Sequence, residues 1–435
     1  MLAPRARVDQ PAREENSRRD SHDPAVGVSM SLTDSKRKTI DVLFLIETLG
    51  LGGAEMSLFT LLKYVDRARV RPSVVMFFDS EGPRGYRTNH FLPLIESMGI
   101  PVTTLGARRV REFPQAISRL YQRVRRSPPD LIHTQLFAAN IVGRIAGRLA
   151  RLPVISTIQS LDYEPERLAT YTNPGNWMRV LAMLCADRYT ARLCCDRLIP
   201  ISRGVAASTR QWLKVRPDRM TVMYNPVDTE HFVASDDQAH HKIRQQLGLG
   251  EDSRLILNVG RITYAKGQID LVQAMPEILE SVPNAHVVFL GDTANERCKA
   301  ELVTAIDRLG IAGHCRFPGA SDHVNVWLEA CDVFAFPSLF EGMGIAMAEA
   351  MLCRCPVVAS SIVTLAEQIQ DNVTGLLVPP QNPHSLAQAI VRILQDPVLA
   401  RSLGEAAERQ AIQSYDPVRY AERMAQIYES VLRER

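Results

Sequence analysis

The stretch Phe336–Pro356 reads FPSLFEGMGIAMAEAMLCRCP and carries the pattern strand, glycine turn, helix. The apolar run at 332–336 predicts a short strand, and the run rich in Ala, Met and Leu that starts at Ile345 predicts a helix. Glycines before a helix start let a ligand approach the backbone, and the free N–H groups there favour an anion. Glu341 and Glu349 are eight residues apart, just over two helical turns, so they can lie on one side of this element. Two carboxylates beside an anion site suit a ligand with hydroxyls and phosphates, such as a nucleotide-sugar.

The same stretch resembles a known family signature. A Glu-(seven residues)-Glu pattern after Pro-Ser, followed by PVVAS at Pro356–Ser360, is similar to the motif of family 4 (group 1) glycosyltransferases. The resemblance extends from about Asp41 to the C-terminus and is densest between Leu255 and Val378. It implies a retaining enzyme of the α/β class, with two Rossmann-like domains facing across a cleft (GT-B) and a C-terminal helix that crosses back to the first domain.

The resemblance and the composition together divide the chain into three parts. Residues 1–38 are rich in Arg, Asp, Glu, Ser and Pro and are predicted to be a disordered extension, with Met30 as a second candidate start. Residues 39–224, joined by a C-terminal helix at 415–435, are expected to form an acceptor-side domain. Residues 225–414 are expected to form the domain that binds a nucleotide-sugar.

Composition excludes several classes of protein. Hydrophobic residues make up 46% of the chain, but no apolar run is long enough to span a membrane, and the N-terminus lacks the apolar core of a secretory signal. These features predict a cytoplasmic protein. The eight cysteines include no Cys-x-x-Cys pair, so they are expected to be reduced core residues without a structural metal or disulfide.

Charge is distributed unevenly along the chain. Residues 41–230 hold 26 basic and 17 acidic side chains, whereas residues 231–435 hold 17 and 25. Seven arginines between Arg108 and Arg126 alternate with apolar residues at helical spacing. This segment is either an ordinary surface helix or a basic amphipathic surface for anionic lipid at the inner face of a membrane. Nucleic acid is not expected, because no aromatic platform accompanies the charge.

Candidate residues of the first domain lie at the predicted carboxyl ends of strands. A glycine loop around Gly53 follows the first strand, which is the opening of a nucleotide-binding α/β unit. His133 and Gln159 are predicted to end two later strands, and Gln159 stands where the resembled family often has a histidine that faces the sugar. Both are candidates for the sugar or acceptor side. Asn225 begins Asn-Pro-Val-Asp, which resembles the family's crossing between domains.

Candidate residues of the second domain are cationic and glycine-rich. Arg261 and Lys266 lie five residues apart in a glycine-flanked loop after a strand, so they can converge on a diphosphate. By resemblance, Glu349 binds the ribose, Glu341 contacts the transferred sugar, and Gly319 lies by the nucleobase. The remaining predicted donor-binding positions are Gly342, Met343, Gly344 and Ile345.

The sequence therefore predicts transfer of a sugar from a nucleotide-diphosphate donor to a hydroxyl of a glycan or polyisoprenyl-linked acceptor. No Asp-x-Asp occurs, so neither a metal nor another cofactor is expected to stabilise the leaving group. A small soluble acceptor, an epimerase of the same fold and a nucleotide-sugar-binding protein without transfer activity are the alternatives. The last is motivated by Gln159.

Overall fold

The computed structural model describes residues 39–78, 89–109, 112–165, 167–168, 177–232 and 238–435. The predicted disordered extension at 1–38 lies outside these residues. The described chain contains two six-stranded parallel sheets, each flanked by helices, as the α/β prediction requires.

The first lobe contains the sheet with strand order β3-β2-β1-β4-β5-β6. Its strands are β1 (Ile40–Ile46), β2 (Val70–Phe78), β3 (Val102–Ala107), β4 (Leu131–Gln135), β5 (Val154–Ile158) and β6 (Arg197–Pro200). Its helices are α1 (Gly53–Tyr64), α2 (Leu92–Ser97), α3 (Phe113–Arg126), α4 (Phe137–Ala150), α5 (Trp177–Leu193) and α6 (Arg203–Leu213). Helices α7 (Thr229–Phe232) and α8 (Ala239–Gln246) lie in the connection to the second lobe.

The second lobe repeats this topology with strand order β12-β11-β10-β7-β8-β9. Its strands are β7 (Arg254–Val259), β8 (Ala285–Leu290), β9 (Cys315–Gly319), β10 (Val333–Phe336), β11 (Val357–Ser360) and β12 (Leu376–Val378). Its helices are α9 (Gln268–Ser281), α10 (Glu296–Arg308), α11 (Val324–Ala330), α12 (Ile345–Leu352), α13 (Val363–Ala366), α14 (Pro383–Gln395) and α15 (Pro397–Ser414). Helix α16 (Pro417–Arg433) ends the chain.

Both sheets are covered on both faces, which explains why their strands read as continuous apolar runs. On β1, Val42 and Phe44 pack into one core cluster, whereas Leu43 and Leu45 pack into another. On β7, Leu255 and its neighbour Ile256 are divided between two clusters in the same way. Parallel strands joined by helices in this order place ligands at the carboxyl ends of the strands, where the strand order reverses. Those points lie between β1 and β4 and between β7 and β10.

The C-terminal helix α16 belongs to the first lobe. Tyr420, Met424 and Tyr428 are buried in the core cluster that contains Phe44 of β1, and α16 packs against α1. The chain crosses between the lobes twice, and the two crossings lie together because Val227 N–H donates to the carbonyl of Tyr415 at 3.1 Å. The predicted return of the last helix to the first domain is therefore confirmed.

Helix α3 is an ordinary surface helix. Its stripe of Ala116, Leu120 and Val124 is buried against the first sheet, and Phe113 and Ile117 pack on the same cluster. The apolar side of α3 is thus already used by the core, and the arginines form its outer surface. An amphipathic surface for lipid needs an apolar face of its own, so the structure favours the simpler of the two interpretations of this segment.

Within the described residues, no helix is long and apolar enough to cross a bilayer.

Candidate functional site

Two loops of the second lobe meet at the point where its strand order reverses. Strands β7 and β10 pair directly, so the loops that follow them start side by side. Leu339 N–H donates to the carbonyl of Ala265 at 2.7 Å, which joins the two loops. Gly267 has a φ of +61°, and a β-carbon there would lie 2.0 Å from the carbonyl oxygen of Pro337. Only glycine allows this approach, so the sequence Lys266-Gly267 fixes the cation against the second loop.

The approach of the loops brings Lys266 and Glu341 together. Lys266 Nζ donates a short hydrogen bond to Glu341 Oε1, and it also lies 5.1 Å from the centroid of the Phe336 ring. The Glu341 side chain is only 11% exposed. A cation and a carboxylate held this way, partly away from water, interact more strongly than a surface pair. A bound anion can replace Glu341 as the partner of Lys266, and a bound hydroxyl can replace Lys266 as the partner of Glu341.

Glu349 occupies a different environment from Glu341. Glu341 lies in the turn before α12, whereas Glu349 lies inside that helix and is 7% exposed. Burial raises the pKa of Glu349 to about 7. No described residue donates a hydrogen bond to its carboxyl group that would offset this desolvation. A buried acceptor without a partner in the described part of the chain is suited to the hydroxyls of a ligand.

Arg261 extends from the same loop as Lys266 towards the first lobe. Its side chain is exposed, and its charge lowers the pKa of Glu55 in α1. Burial is the larger effect on Glu55 and raises that pKa, while a hydrogen bond of 2.8 Å from Thr48 lowers it. Glu55 therefore marks the place where the first lobe faces the cationic loop.

The two lobes touch along the turn before α12. A β-carbon on Gly342 would lie 2.2 Å from the carbonyl oxygen of Gln159, and one on Gly53 would lie 2.9 Å from Ile345 Cδ1. Met343 Sδ accepts a hydrogen bond from Asn225 N–H at 3.1 Å, and Gly344 caps α12 without a side-chain hydrogen bond. Helix α1 likewise begins after Gly52 without a side-chain cap. Two helix N-termini therefore meet here. The Glu55 carboxyl accepts from its own backbone N–H at the start of α1, whereas α12 begins without a side-chain cap, which is favourable for phosphate.

The polar residues predicted for the acceptor side form a hydrogen-bonded chain. Gln159 Nε2 donates to Gln135 Oε1 at 3.2 Å, and Asn225 Nδ2 donates to Gln159 Oε1 at 2.9 Å. Ser57 Oγ donates to Asn225 Oδ1 at 3.0 Å. The Gln159 amide is therefore used to connect β4, β5 and the crossing between lobes. The backbone carbonyl of Gln159 is the group that lies against Gly342 of the second lobe.

His133 does not reach the cleft. It is 0% exposed, its Nδ1 lies 2.7 Å from Tyr428 Oη, and its Nε2 lies 2.8 Å from Thr157 Oγ1. Burial lowers the pKa of His133 to about 3, so the ring is neutral. The expectation that His133 contributes to the sugar side is not supported, because both ring nitrogens are used inside the core.

Gly319 lies at the end of β9, the edge strand of the second sheet. Its φ is +88°, and nothing lies within 4 Å of the position where a β-carbon would stand. Its carbonyl accepts a hydrogen bond of 2.8 Å from Gly291 N–H, which follows β8. Gly319 is therefore open on one side, two strands away from Lys266.

Two carboxylates that bind backbone N–H groups of other elements were not predicted as site residues from the sequence. Glu47 directly follows β1, its Oε1 accepts from Ala138 N–H at 2.6 Å, and burial raises its pKa to about 7. Glu367 of the second lobe accepts hydrogen bonds from the backbone N–H groups of Arg203 and Gly204, at 2.9 and 3.2 Å. The position of Glu47 at the carboxyl end of a strand was a usable signal. The pairing of Glu367 with the first turn of α6 could not be predicted from local sequence, because this pairing joins the two lobes.

Comparison with known proteins agrees with this geometry. The family model described as "Glycosyltransferase Family 4" matches residues 51–231, and the model described as "Glycosyl transferases group 1" matches residues 240–410. The chain is 25% identical over 356 residues to the UDP-Gal:alpha-D-GlcNAc-diphosphoundecaprenol alpha-1,3-galactosyltransferase of Escherichia coli, covering 79% of this chain and 86% of that protein. It is 25% identical over 399 residues to the alpha-maltose-1-phosphate synthase of Mycobacterium tuberculosis, covering 87% and 96%.

A solved structure is similar over the whole of its length. The crystal structure of Anabaena HepE in complex with UDP-glucose superposes with a TM-score of 0.77 at 25% identity, and it covers 90% of this chain and 100% of that one. The two lobes and the cleft between them are therefore shared with a protein that binds a nucleotide-sugar.

Proposed function

Because this chain belongs to the family 4 (group 1) glycosyltransferases, we propose that it transfers a sugar, with retained anomeric configuration, from a nucleotide-diphosphate donor to a hydroxyl of a glycan or lipid-linked saccharide. The observation that carries the proposal is the contact between Lys266 and Glu341 at the point where the strand order of the second sheet reverses. Ligands of open α/β sheets bind at such points.

In this proposal the second lobe stabilises the leaving group. Negative charge grows on the diphosphate oxygen as its bond to the sugar breaks. Lys266, Arg261 and the free N–H groups at the start of α12 supply positive charge and hydrogen bonds there. In this assignment, groups of the protein stabilise the leaving diphosphate, and no metal is required. When the diphosphate binds the Lys266 ammonium, Glu341 loses its ion-pair partner. Its carboxylate then accepts a hydrogen bond from a hydroxyl of the transferred sugar.

The other donor contacts follow from burial and position. Glu349 accepts from the ribose hydroxyls, since its buried carboxyl has no hydrogen-bond donor among the described residues. Gly342, Met343, Gly344 and Ile345 line the turn, Gly53 faces it from α1, and Gly319 is open towards the nucleobase. UDP is the first nucleotide to test, because the Anabaena and Escherichia coli relatives are named for UDP-sugars.

The acceptor side belongs to the first lobe. Glu55 is buried and Glu47 is half-buried near the carboxyl ends of its strands, and their carboxyl groups suit the hydroxyls of a saccharide. The Escherichia coli relative is named for an acceptor linked to diphosphoundecaprenol. We therefore include polyisoprenyl-linked saccharides among the acceptors to test, beside small soluble ones.

A second candidate function is nucleotide-sugar binding without transfer. It is favoured by Gln159, whose side chain is held by Asn225 and Gln135 rather than directed at a ligand. In this case the donor would bind and stabilise the protein, but no nucleotide would be released in the presence of acceptors.

One set of measurements tests both candidates. A thermal-shift screen of UDP-, GDP- and ADP-sugars first identifies the donor through the stabilisation that binding produces. Nucleotide release is then measured with soluble and polyisoprenyl-linked saccharides for the wild type and for Glu341→Ala, and the anomeric configuration of the product is read by NMR. Release that depends on acceptor and falls in Glu341→Ala supports transfer. Equal inactivity of both proteins, despite donor binding, supports the second candidate, and an inverted product contradicts retention.

A further inference from the structure

Helix α5 has polar as well as apolar residues on the side that faces the protein. The buried residues of this helix are Asp187, Thr190 and Ala191. Asp187 is bound by the buried guanidinium of Arg144 at 2.6 Å and by Tyr163 Oη at 3.0 Å. Beside this ion pair, Leu184 and Ala191 pack in a core cluster with Leu198 and Leu213, so the inner side of α5 is partly polar and partly apolar. A surface helix of a globular protein normally keeps its apolar residues on that inner side.

The outer side of α5 carries a stripe of apolar residues. Met178, Leu181 and Tyr189 are 74%, 40% and 64% exposed, and Cys185 between them is also exposed. Their spacing of three, four and four residues places them in one stripe along the helix. Single exposed apolar residues are common on protein surfaces, but a continuous stripe marks a binding surface. We call these four residues the α5 stripe.

Positive charge surrounds the α5 stripe. Arg179, Arg188 and Arg192 of the same helix are exposed, and Arg148 and Arg151 lie at the end of the neighbouring α4. The only acidic residue of α5 is Asp187, which is buried and neutralised by Arg144. A partner that complements this surface carries negative charge. A second copy of the chain, docked by a two-fold axis, would oppose these arginines to one another.

The position of α5 connects this surface to the cleft. Helix α5 precedes β6, which is parallel to β5, so α5 runs in the opposite direction to the strands. Its first residue, Trp177, is 58% exposed and lies towards the carboxyl edge of the first sheet, the edge that Gln135 and Gln159 occupy. Tryptophan at the end of a basic helix with an apolar outer face is typical of helices that lie in the interface of a bilayer.

We propose that the α5 stripe docks on an anionic phospholipid bilayer, with Met178, Leu181 and Tyr189 entering the interface and the arginines binding lipid phosphates. The α5 stripe, and not α3, is therefore the proposed lipid-binding surface, because the apolar side of α3 is packed in the core. It would hold the cleft edge of the first lobe near the bilayer surface, where a lipid-linked hydroxyl is available. The inference stands apart from the proposed reaction, because lipid binding is measured without donor or acceptor.

Flotation of the full chain with vesicles tests the apolar part of the proposal. Vesicles of phosphatidylglycerol and of phosphatidylcholine alone are compared for the wild type, for Met178→Gln/Leu181→Gln/Tyr189→Gln, and for Val398→Gln/Ile412→Gln. The last variant is a control, because Val398 and Ile412 are equally exposed apolar residues of the second lobe. We expect binding to phosphatidylglycerol that falls by about ten-fold or more in the α5 variant and is unchanged in the control.

A matched pair of arginine variants tests the charged part. Arg179→Gln/Arg188→Gln should weaken binding by about ten-fold at low salt, whereas Arg125→Gln/Arg126→Gln on α3 should have a much smaller effect. The proposal is overturned if the wild type does not bind phosphatidylglycerol, if the α3 pair abolishes binding while the α5 pair does not, or if the chain self-associates through the α5 stripe without lipid, as sedimentation would show. Circular dichroism and donor-induced thermal shifts confirm that each variant remains folded.

Discussion

A β-carbon on Gly342 would lie 2.2 Å from the carbonyl oxygen of Gln159, so the two lobes touch where only a glycine fits. Gly342 belongs to the turn before α12 and Gln159 follows β5, and they are 183 positions apart in the chain. This contact sets how closely the cationic loop of the second lobe approaches the first lobe.

Replacing Gly342 should separate the lobes without unfolding either one. In Gly342→Ala the new methyl group cannot share space with the Gln159 carbonyl, so the cleft opens at this point. We expect kcat/KM to fall by about ten- to a hundred-fold, because small displacements of reacting groups are costly. The control is Gly313→Ala, since a β-carbon on Gly313 meets nothing within 4 Å. Steady-state kinetics with unchanged kcat/KM in Gly342→Ala would contradict the importance of this contact.

Removing the Lys266 ammonium should impair chemistry more than folding. Lys266→Ala takes away positive charge from the position proposed for the diphosphate, and we expect kcat to fall by about a hundred-fold or more. Arg401→Ala, which removes an exposed cation of α15, is the charge-matched control. The measurement is nucleotide release at saturating donor. A fall of kcat by less than about three-fold would remove Lys266 from the proposed leaving-group stabilisation.

Glu349 should make stability depend on pH. Its pKa is raised by burial from 4.5 to about 7, so the stability associated with its protonated form is fully present below about pH 4.5 and is lost as pH rises to about 7. Glu349→Gln removes this loss. We expect the variant to be more stable than the wild type at pH 8, by up to about 3 kcal/mol, and to differ little at pH 4.5. Denaturant unfolding at both values checks this.

The same substitution should weaken donor binding. The amide introduced by Glu349→Gln offers one neutral acceptor where the carboxylate offers two charged ones, so we expect donor affinity to fall by about ten-fold or more. Glu280→Gln, which changes an exposed glutamate of α9, controls for loss of charge. Stability that rises equally at both pH values, or donor affinity that does not change, would contradict the assignment of Glu349 to the ribose.

Glu367 should contribute to the contact between the lobes. Its two oxygens accept from the backbone N–H groups of Arg203 and Gly204 at the start of α6, and Tyr224 Oη donates to it at 3.0 Å. Glu367→Ala leaves these donors without partners and should reduce the free energy of unfolding by about 1–2 kcal/mol. Small-angle scattering should show a more open molecule. Glu405→Ala on α15 is the exposed control, and identical stability of the two variants would argue against the contact.

Much of the fold could be predicted from the sequence because the decisive signals are local. The first strand and the glycine loop around Gly53 that was predicted to follow it are found as β1 and the turn before α1. The strands read as continuous apolar runs because both faces of each sheet are buried. The glycine-flanked loop that carries Arg261 and Lys266 is likewise found after β7, as predicted.

The surroundings of some residues depend on distant partners and could not be assigned from local patterns. His133 was a candidate sugar-side residue because it lies near a strand end. Its Nδ1, however, is hydrogen-bonded to Tyr428, 295 positions later in the chain. The arginine-rich segment allowed two interpretations, and the packing of the apolar side of α3 against the sheet favours an ordinary surface helix. In α5 an apolar stripe faces solvent, whereas Asp187 faces inwards and is bound by Arg144 of α4. Periodicity shows that a helix has two sides, but it does not show which side the rest of the chain covers.

The sequence alone determined the two α/β domains, their order and the loops that carry Arg261, Lys266, Glu341 and Glu349, because strand, turn and helix propensities act over a few residues. Only the tertiary structure decided which of these side chains touch, that Gln159 is held by Asn225 and Gln135, and that Glu367 joins the lobes. These contacts bring together residues far apart in the chain, and their geometry is set by how the two packed cores fit against each other.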